Sequence, residues 1–349
     1  MAVGRKRNER AGARSALIIS GGAPNATLMA GALVAFHELG LKFDVISTAG
    51  AGALLGLMYA APANGDPVST LASLKDLGVA DPIYEAFPVN YKVFNKPGMA
   101  AEVYRRLLAL NPLVQQIMEW PAKDPLSQFA KDSAQLMWAC VSPSDLSPSS
   151  LGLCAHVPFA EQIIDFAAVP EIEPEFYVNA FNLVSKQMEN FDKRMLSVQH
   201  LQAALSFPFL YPPTPLGDGL YIEGAALDCL NFYGLLERHP DLEEIVAFDI
   251  LGAEKLLRAP RDLYDAWVMS IITPLIEIAR DDLKIFEAQH LGKYPKLRKP
   301  WRVPLIEGIA EADLPDVFDW SRSNLSRLFD IGYEAGLHGA RGTLSHLAG

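Results

Sequence analysis

Two glycine-rich turns lie close together near the start of this 349-residue chain, Ser20-Gly21-Gly22-Ala23-Pro24-Asn25 and Thr48-Ala49-Gly50-Ala51-Gly52. Each follows a short apolar run and leads into a stretch with helical character. A glycine turn at a helix N-terminus points backbone N–H groups outward, where they can hold an anion or the oxyanion of an acyl-transfer step. A phosphate would fit the same donors, but neither turn reads GxGxxG or GxxxxGK[ST], so a nucleotide site is poorly supported. Other chemistry is scarce. The cysteines Cys140, Cys154 and Cys229 are odd in number and widely spaced, with no CxxC pair and no histidine at zinc-ligand spacing. They read as small core residues of a protein in a reducing, cytosolic setting, and no metal or cofactor is expected.

The elements that must position these turns follow from hydrophobic patterning. Ala16–Ser20 is a short apolar run ending in glycines, which predicts a buried strand. Ala26–Leu39 predicts a helix with Asn25 as N-cap and Gly40 as its left-handed terminus. Phe43–Thr48 predicts a second strand, and Gly50–Ala61 a second helix stopped by Pro62. Strand, turn and helix repeated in this order imply an α/β fold with a mostly parallel central sheet and helices on both faces. Glu175–Val184, Glu244–Leu251 and Arg302–Ile306 extend the sheet, and a helix is expected near Ser323–Gly336. Residues 63–174, rich in Pro, Trp and Met, read as a mostly helical insertion covering one end of the sheet. A second helical insertion is expected at about 253–300. The reading is a single domain over 15–349, preceded by a basic arm at 1–14. In open parallel sheets, ligands sit beyond the carboxyl ends of the strands, where both glycine turns fall.

Charge and hydropathy restrict the partners. Half of the residues are hydrophobic and the formal net charge is −11, which argues against nucleic acid as the main partner. Ser15–His37 and Val45–Gly65 carry no Asp, Glu, Lys or Arg, and each approaches the ~20 residues of a membrane span. Gly21, Gly22, Pro24 and Asn25 interrupt the first, and Gly50, Gly52 and Pro62 the second, so neither is read as a transmembrane segment. The arm holds Arg5, Lys6, Arg7, Arg10 and Arg14 against the single acid Glu9. It is either a solvated tail or a docking arm for an acidic partner or anionic lipid head groups, which would place a cytoplasmic protein peripherally on a membrane.

Four segments in order carry a family resemblance. Leu17-Ile18-Ile19-Ser20-Gly21-Gly22-Ala23 resembles the first strand and oxyanion loop of patatin-like phospholipases. Asp44-Val45-Ile46-Ser47-Thr48-Ala49-Gly50-Ala51-Gly52-Ala53-Leu54 resembles that family's Asp-x-Ile-x-Gly-x-Ser-x-Gly-Ala-Leu turn. Ser206-Phe207-Pro208-Phe209-Leu210-Tyr211-Pro212-Pro213 is similar to its Ala-x-Pro-x-x-Phe-x-Pro segment. Tyr221-Ile222-Glu223-Gly224-Ala225 is similar to the Tyr-x-Asp-Gly-Gly/Ala segment that supplies its aspartate. Asp319-Trp320-Ser321 and Gly332-Tyr333-Glu334-Ala335 resemble its closing helix. Order and spacing agree over about 16–65 and 176–340.

The resemblance implies a lipid acyl hydrolase that uses a Ser–Asp dyad, in which serine attacks an ester and aspartate takes its proton. The departures fall on those two groups. Gly50 stands where the resemblance places the nucleophilic serine, and Glu223 stands at the dyad aspartate. Thr48 replaces the earlier glycine of the turn. Gly21, Gly22 and Ala23 stand at the oxyanion loop, with Asn25 at its basic residue. Ser47, Thr48 and Ser20 are the nearest hydroxyls, but only the tip of such a turn holds a side chain in the strained, solvent-facing geometry of a nucleophile. Glycine visits that backbone region without the penalty of about 1–3 kcal/mol that serine meets there. Glu223 is either the remnant of a disused site or a base aimed at a water in the room left by the missing serine. Asp218-Gly219 imitates the dyad motif but reads as a hairpin turn.

The apolar insertion residues Ile117, Met118, Trp120, Phe129, Leu136, Met137 and Trp138 read as helical core against the sheet, with an acyl-chain tunnel or a membrane lid as the alternative. Met269–Ile276 raises the same choice. The leading functional expectation is a patatin-like pseudoenzyme that binds a fatty-acyl ligand or a protein partner without hydrolysing an ester. An active acyl hydrolase using Glu223 and water is the second reading, and a structural subunit with a collapsed site the third. A fluorophosphonate probe, which requires an activated serine, is expected to leave the protein unlabelled. A stoichiometric adduct mapped by mass spectrometry to Ser47 would overturn the pseudoenzyme expectation.

Overall fold

A computed structural model describes residues 13–22, 25–156, 159–250, 254–342, 344 and 347 of the chain. The arm residues Arg5, Lys6, Arg7 and Arg10, and Ala23 of the first glycine turn, lie outside the described residues. Ser15–Ile19 (β1) and Val45–Thr48 (β2) are the two apolar runs that precede the glycine turns, and they pair in parallel with Ile19 opposite Thr48. Their turns lead into Ala26–Glu38 (α1) and Ala51–Ala60 (α2). A helical excursion follows: Pro67–Ala72 (α3), Asp81–Ala86 (α4), Met99–Ala109 (α5), Pro112–Glu119 (α6), Pro125–Val141 (α7) and Ala160–Ile163 (α8). The chain re-enters the sheet as Glu175–Asn182 (β3), turns back as Gln187–Asp192 (β4), and continues through Val198–Ala204 (α9), Thr214–Leu216 (β5) and Gly219–Glu223 (β6). Leu235–Arg238 (α10), Glu244–Phe248 (β7), Leu263–His290 (α11), Trp301–Arg302 (β8) and Arg322–Gly342 (α12) complete it.

The sheet runs β5-β6-β3-β2-β1-β7-β8, with β4 also paired to β3. The pairs β3–β2, β2–β1, β1–β7 and β7–β8 are parallel, and β4, β5 and β6 pair antiparallel. This is a mixed α/β fold with a mostly parallel sheet. Side chains alternate across it as a period of two requires. Leu17, Ile19, Ile46, Phe176, Val246 and Phe248 pack into one core layer with α1, α2 and α12. Ala16, Ile18, Val45, Ile245 and Ala247 pack into the other with Leu235 and Leu236 of α10 and Phe286 of α11. Helices therefore cover both faces.

One feature of β3 governs the rest. A strand has two edges, and β4 occupies one of them along Tyr177–Asn182. The other edge is shared, with β2 along Glu175–Val178 and β6 along Ala180–Asn182. β2 and β6 therefore point at each other head to head. Thr48 stands opposite Val178 and Glu223 opposite Ala180, so the two strand ends are separated by about one residue of β3.

Several expectations need correction. Asn25 has helical backbone angles (φ −62, ψ 0) and makes no side-chain cap bond, so it does not cap α1. The last strand is confined to Trp301–Arg302, because the chain tightens into a 3₁₀ turn at Ile306–Gly308. Arg14 is not part of a free arm: it pairs with Asp241 and its Nη2 lies 3.2 Å from Nδ1 of His239. The insertion is helical and sends Leu71, Leu74, Ile164 and Val169 into the core, but several of the apolar residues expected there from its middle stay outside it. Met118, Trp120, Phe129 and Met137 are exposed, and the buried positions of α7 are the polar Gln128 and Asp132. Asp132 anchors this region: its carboxylate pairs with Lys92 at 2.8 Å and accepts from Ala80 N–H at 2.6 Å and from Gln128 Nε2 at 2.7 Å. No described helix is long and apolar enough to cross a membrane.

The closing helix α12 lies directly on α1. A Cβ built on Gly332 would fall against the Leu28 backbone, and one on Gly31 against the Phe329 carbonyl, so the two helices touch backbone to backbone. Gly332→Val is expected to destabilise the protein by about 1–3 kcal/mol through overpacking, despite its better helix propensity. Gly292, around which space is open, serves as the control, and Gly292→Ala should stay within about 0.5 kcal/mol. Denaturant midpoints that fall equally for both variants would contradict the close helix contact.

Candidate functional site

Gly50 turns the chain from β2 into α2 at φ +49 and ψ −128, a backbone region that L-residues occupy only under strain. Gly52 is required for a different reason. A Cβ there would meet the carbonyl oxygens of Ile19 and Ser20, so α2 could not start against the end of β1. The head-to-head meeting of β2 and β6 brings Glu223 onto Gly50. A Cβ built on Gly50 would coincide with Glu223 Oε1 more closely than any non-bonded contact permits, and would lie 2.9 Å from its Cδ and 3.0 Å from the Ala225 Cβ. The carboxyl group of Glu223 thus lies in the volume that a side chain at position 50 would need. A Cβ on Gly21 would lie 3.6 Å from the same oxygen and 3.8 Å from the Ala49 carbonyl. Gly21, Gly50 and Glu223 therefore surround one point.

This geometry bears on the room expected for a water beside Gly50: Glu223 fills it with its own carboxyl oxygen. The extra methylene of glutamate carries the acid forward by about one C–C bond, ~1.5 Å, into that space. The donors of the first turn are only partly free. Gly21 N–H points to the Cys229 carbonyl at 3.4 Å, and Gly22 is at φ +118. Asn25 is fully buried, and among the described residues neither its Nδ2 nor its Oδ1 has a hydrogen-bond partner. A buried polar group left so typically costs ~1–3 kcal/mol.

The neighbouring hydroxyls are committed elsewhere. Ser47 Oγ donates to the Asn231 carbonyl at 2.8 Å, Thr48 Oγ1 to the Tyr177 carbonyl at 2.9 Å, and Ser20 Oγ to the Gly21 carbonyl at 3.3 Å. All three are buried. Asp218 sits in the β5–β6 hairpin beside Gly217 at φ +57, as its turn chemistry implied.

Glu223 is 9% exposed, and no hydrogen bond to its carboxyl group is formed among the described residues. Burial alone raises its pKa to about 8. At neutral pH it therefore holds its proton, and a carboxylic acid that is already protonated accepts none from water.

The loop after Glu223 is held by acids that sequence reasoning did not single out. Asp282 of α11 accepts the N–H groups of Cys229 at 2.7 Å and Leu230 at 3.2 Å. Asp228 accepts from the backbone of Asn231, Phe232 and Tyr233, and Asn179 Nδ2 donates to its carbonyl at 2.9 Å. Burial raises Asp228 to about 6 and Asp282 to about 7. Asn231, at φ +45, donates to the Thr48 carbonyl at 2.9 Å and so ties this loop to the end of β2. On the other flank, His156 Nε2 lies 3.2 Å from both Ser206 Oγ and Thr214 Oγ1, under the stacked ring of Tyr211. Ser206 is fully buried, and its carbonyl accepts the Glu223 N–H at 3.0 Å. The adjacency of Asp228 to the Glu223 segment was the one available signal. Asp282 and His156 stand in stretches whose spacing carries none. Among the described residues no group of three or more His, Cys, Asp or Glu is arranged to hold a metal ion.

The family model of patatin-like phospholipases matches residues 17–236, more than half of the chain and all of the strands that form this site. Comparison with curated protein sequences gives no match. Among solved structures, VipD from Legionella pneumophila is similar over 93% of this chain at 13% identity and a TM-score of 0.38, and this chain spans 66% of that one.

The state of Glu223 has a measurable sign. Its folded pKa is raised from 4.5 to about 8, so its contribution to stability is fully present below pH 4.5 and is lost as pH rises towards 8. Glu223→Gln removes this titration while Asp228 and Asp282 keep theirs. The stability difference, variant minus wild type, should therefore grow between pH 5 and pH 8 by on the order of a few kcal/mol. Chemical denaturation at several pH values measures it. A difference independent of pH would mean that Glu223 is ionised and solvated in the folded protein.

Proposed function

We propose that this chain, which belongs to the patatin-like phospholipase family, is a non-hydrolysing member that binds a fatty-acyl ligand. One observation carries the reading: Glu223 Oε1 lies where a side chain at position 50 would begin. Serine-dependent ester cleavage needs an activated hydroxyl at the tip of this turn. Gly50 offers none, and the adjacent carboxyl is buried without a hydrogen-bond donor among the described residues. The three nearest hydroxyls donate to backbone carbonyls inside the fold. The three cysteines, none of them disulfide-bonded, fit the cytosolic setting included in this reading.

A protein partner is the second reading, and a specific surface favours it. Met99, Val103 and Leu107 of α5, and Leu110 just after it, are each more than half exposed, at spacings that place them along one helix face. The basic residues Arg5, Lys6, Arg7 and Arg10 would add an electrostatic contact to an acidic partner or an anionic membrane surface.

The test restores what is missing. Gly50→Ser alone should be strongly destabilised, because its Cβ meets Glu223 and its backbone is strained by about 1–3 kcal/mol. Shortening the acid in Gly50→Ser/Glu223→Asp should recover part of that loss, with a coupling of ~0.5–3 kcal/mol between the two positions. The double variant should also gain fluorophosphonate labelling at the hydroxyl introduced at position 50 and slow cleavage of short acyl esters, whereas Gly50→Ser/Glu223→Ala should not. Wild-type protein should release an acyl lipid on denaturing extraction, read against native mass spectrometry. Glu223-dependent ester turnover by the wild type would sink the non-hydrolysing reading.

A further inference from the structure

The helical insertion carries a half-open cavity of about 1110 Å³, bounded by residues between Ser73 and Ile163. None of Gly21, Gly50 or Glu223 lines it, so it is separate from the paired site at the sheet end. Its size is slightly above the ~300–1,000 Å³ common for small-molecule sites. The walls are mostly apolar, and Phe87, Val89, Met118 and Trp120, which line it, remain 42–50% exposed. A helical bundle ordinarily buries such side chains against one another. Here they face open volume, while the buried interior of α7 is the polar Asp132 cluster.

The charge on this lining runs against that of the chain. Five cations line the cavity against only Asp76 and Glu119, in a protein of net charge −11. Lys92 is committed to Asp132 at 2.8 Å. The other four have no carboxylate within ion-pair distance among the described residues. Lys96 Nζ donates to the Cys140 and Ser142 carbonyls at the end of α7, each at 2.9 Å. Arg105 donates to the Lys96 carbonyl at 2.8 Å, and Lys131 to the Trp120 carbonyl at 3.1 Å. Lys123 is exposed. Gln135, also on the wall, has a buried Oε1 without a partner, and its amide nitrogen reaches only the Met118 sulfur, at 3.0 Å. Carbonyl oxygens fix the positions of these cations without neutralising them. An apolar volume rimmed by positioned, unneutralised cations complements one chemistry: a long alkyl chain ending in an anion.

We propose that the insertion cavity is a binding site for a single-chain anionic amphiphile, a long acyl chain carrying one terminal carboxylate or phosphate. This rests on the acyl-ligand reading above for the function, and places that ligand in the insertion. The chain would lie among Phe94, Val114, Met118, Trp120 and Leu136, and the anion at Lys123 and Lys131 beside Trp120.

Isothermal titration with palmitate, with lysophosphatidate and with hexadecanol tests it on the full chain. Palmitate and lysophosphatidate should each bind one molecule per chain, and preference between them identifies the anion. Lys123→Glu/Lys131→Glu should weaken both at least tenfold and leave the weaker binding of hexadecanol nearly unchanged. Ala109→Trp/Ala122→Trp, which fills the cavity from its rim, should abolish binding of all three. Gly50→Ala/Glu223→Ala, at the sheet end, should leave palmitate binding unchanged. Circular dichroism and denaturant midpoints establish that each variant is folded. Palmitate binding that survives both insertion variants but is lost on substitution at Gly50 and Glu223 would overturn this site and keep the acyl-ligand reading. Binding of no amphiphile by the wild type would overturn both.

Discussion

A side chain at position 50 and the carboxyl group of residue 223 require the same volume, because β2 and β6 meet end to end along one edge of β3. This steric coupling sets what either position can be. Thr48 and Glu223 stand opposite Val178 and Ala180, so no slack in the sheet separates the strand ends. A longer acid on β6 demands a smaller residue on the turn after β2. Glycine meets that demand and also accepts φ +49 without strain. Gly50 and Glu223 are therefore one packing solution, and a side chain at position 50 would require the Glu223 carboxyl group to move.

Burial fixes the protonation of the acids around this point, and their hydrogen bonds decide the rank among them. Asp228 accepts three backbone N–H groups, yet its pKa still rises to about 6, so desolvation outweighs the donors. Asp282 accepts two and is also raised by the charge of Asp228, reaching about 7. Glu223 accepts none and rises furthest, to about 8. The order follows the number of donors that favour the charged form. The first two acids act as pins for the loop from Gly224 to Tyr233. The third is a filler held neutral by burial, with no hydrogen-bond partner for its carboxyl group among the described residues. Where β2 and β6 meet, burial makes ionisation of Glu223 unfavourable.

What the sequence made legible were features with a strong local period or a strict backbone requirement. The parallel pair β1–β2 and its glycine turns were readable because buried strands are continuous apolar runs and the turns need glycine. The meeting of Gly50 with Glu223 was readable only through the order of motifs, since no local pattern joins residues so far apart in the chain. The polar strand β4 gave no alternation to detect. The insertion was misread because Trp and Met report that a residue can be buried, not that something lies against it. Its true anchor is Asp132 with Lys92, an ion pair that composition could not distinguish from surface charge. Arg14 was likewise counted with a free basic tail, although Asp241 and His239 hold it to the fold.

The two regions divide along chemical lines that electrostatics makes consequential. At the sheet end, burial keeps Glu223 protonated, and Asp228, Asp282 and the Arg302-paired Asp249 cluster near Cys229. An anionic head group would be repelled there once any of these acids ionised. In the insertion the sign reverses, with cations held by backbone carbonyls around an apolar volume. The overall charge of −11 does not prevent an anion from reaching them, because at physiological ionic strength charges beyond about 8 Å are largely screened. Only the local lining decides. The cation-lined insertion therefore suits a ligand that combines an acyl chain with a negative end better than the acid-rich end of the sheet does. The charge that supports the proposed acyl ligand and the Gly50–Glu223 contact lie in separate parts of the fold.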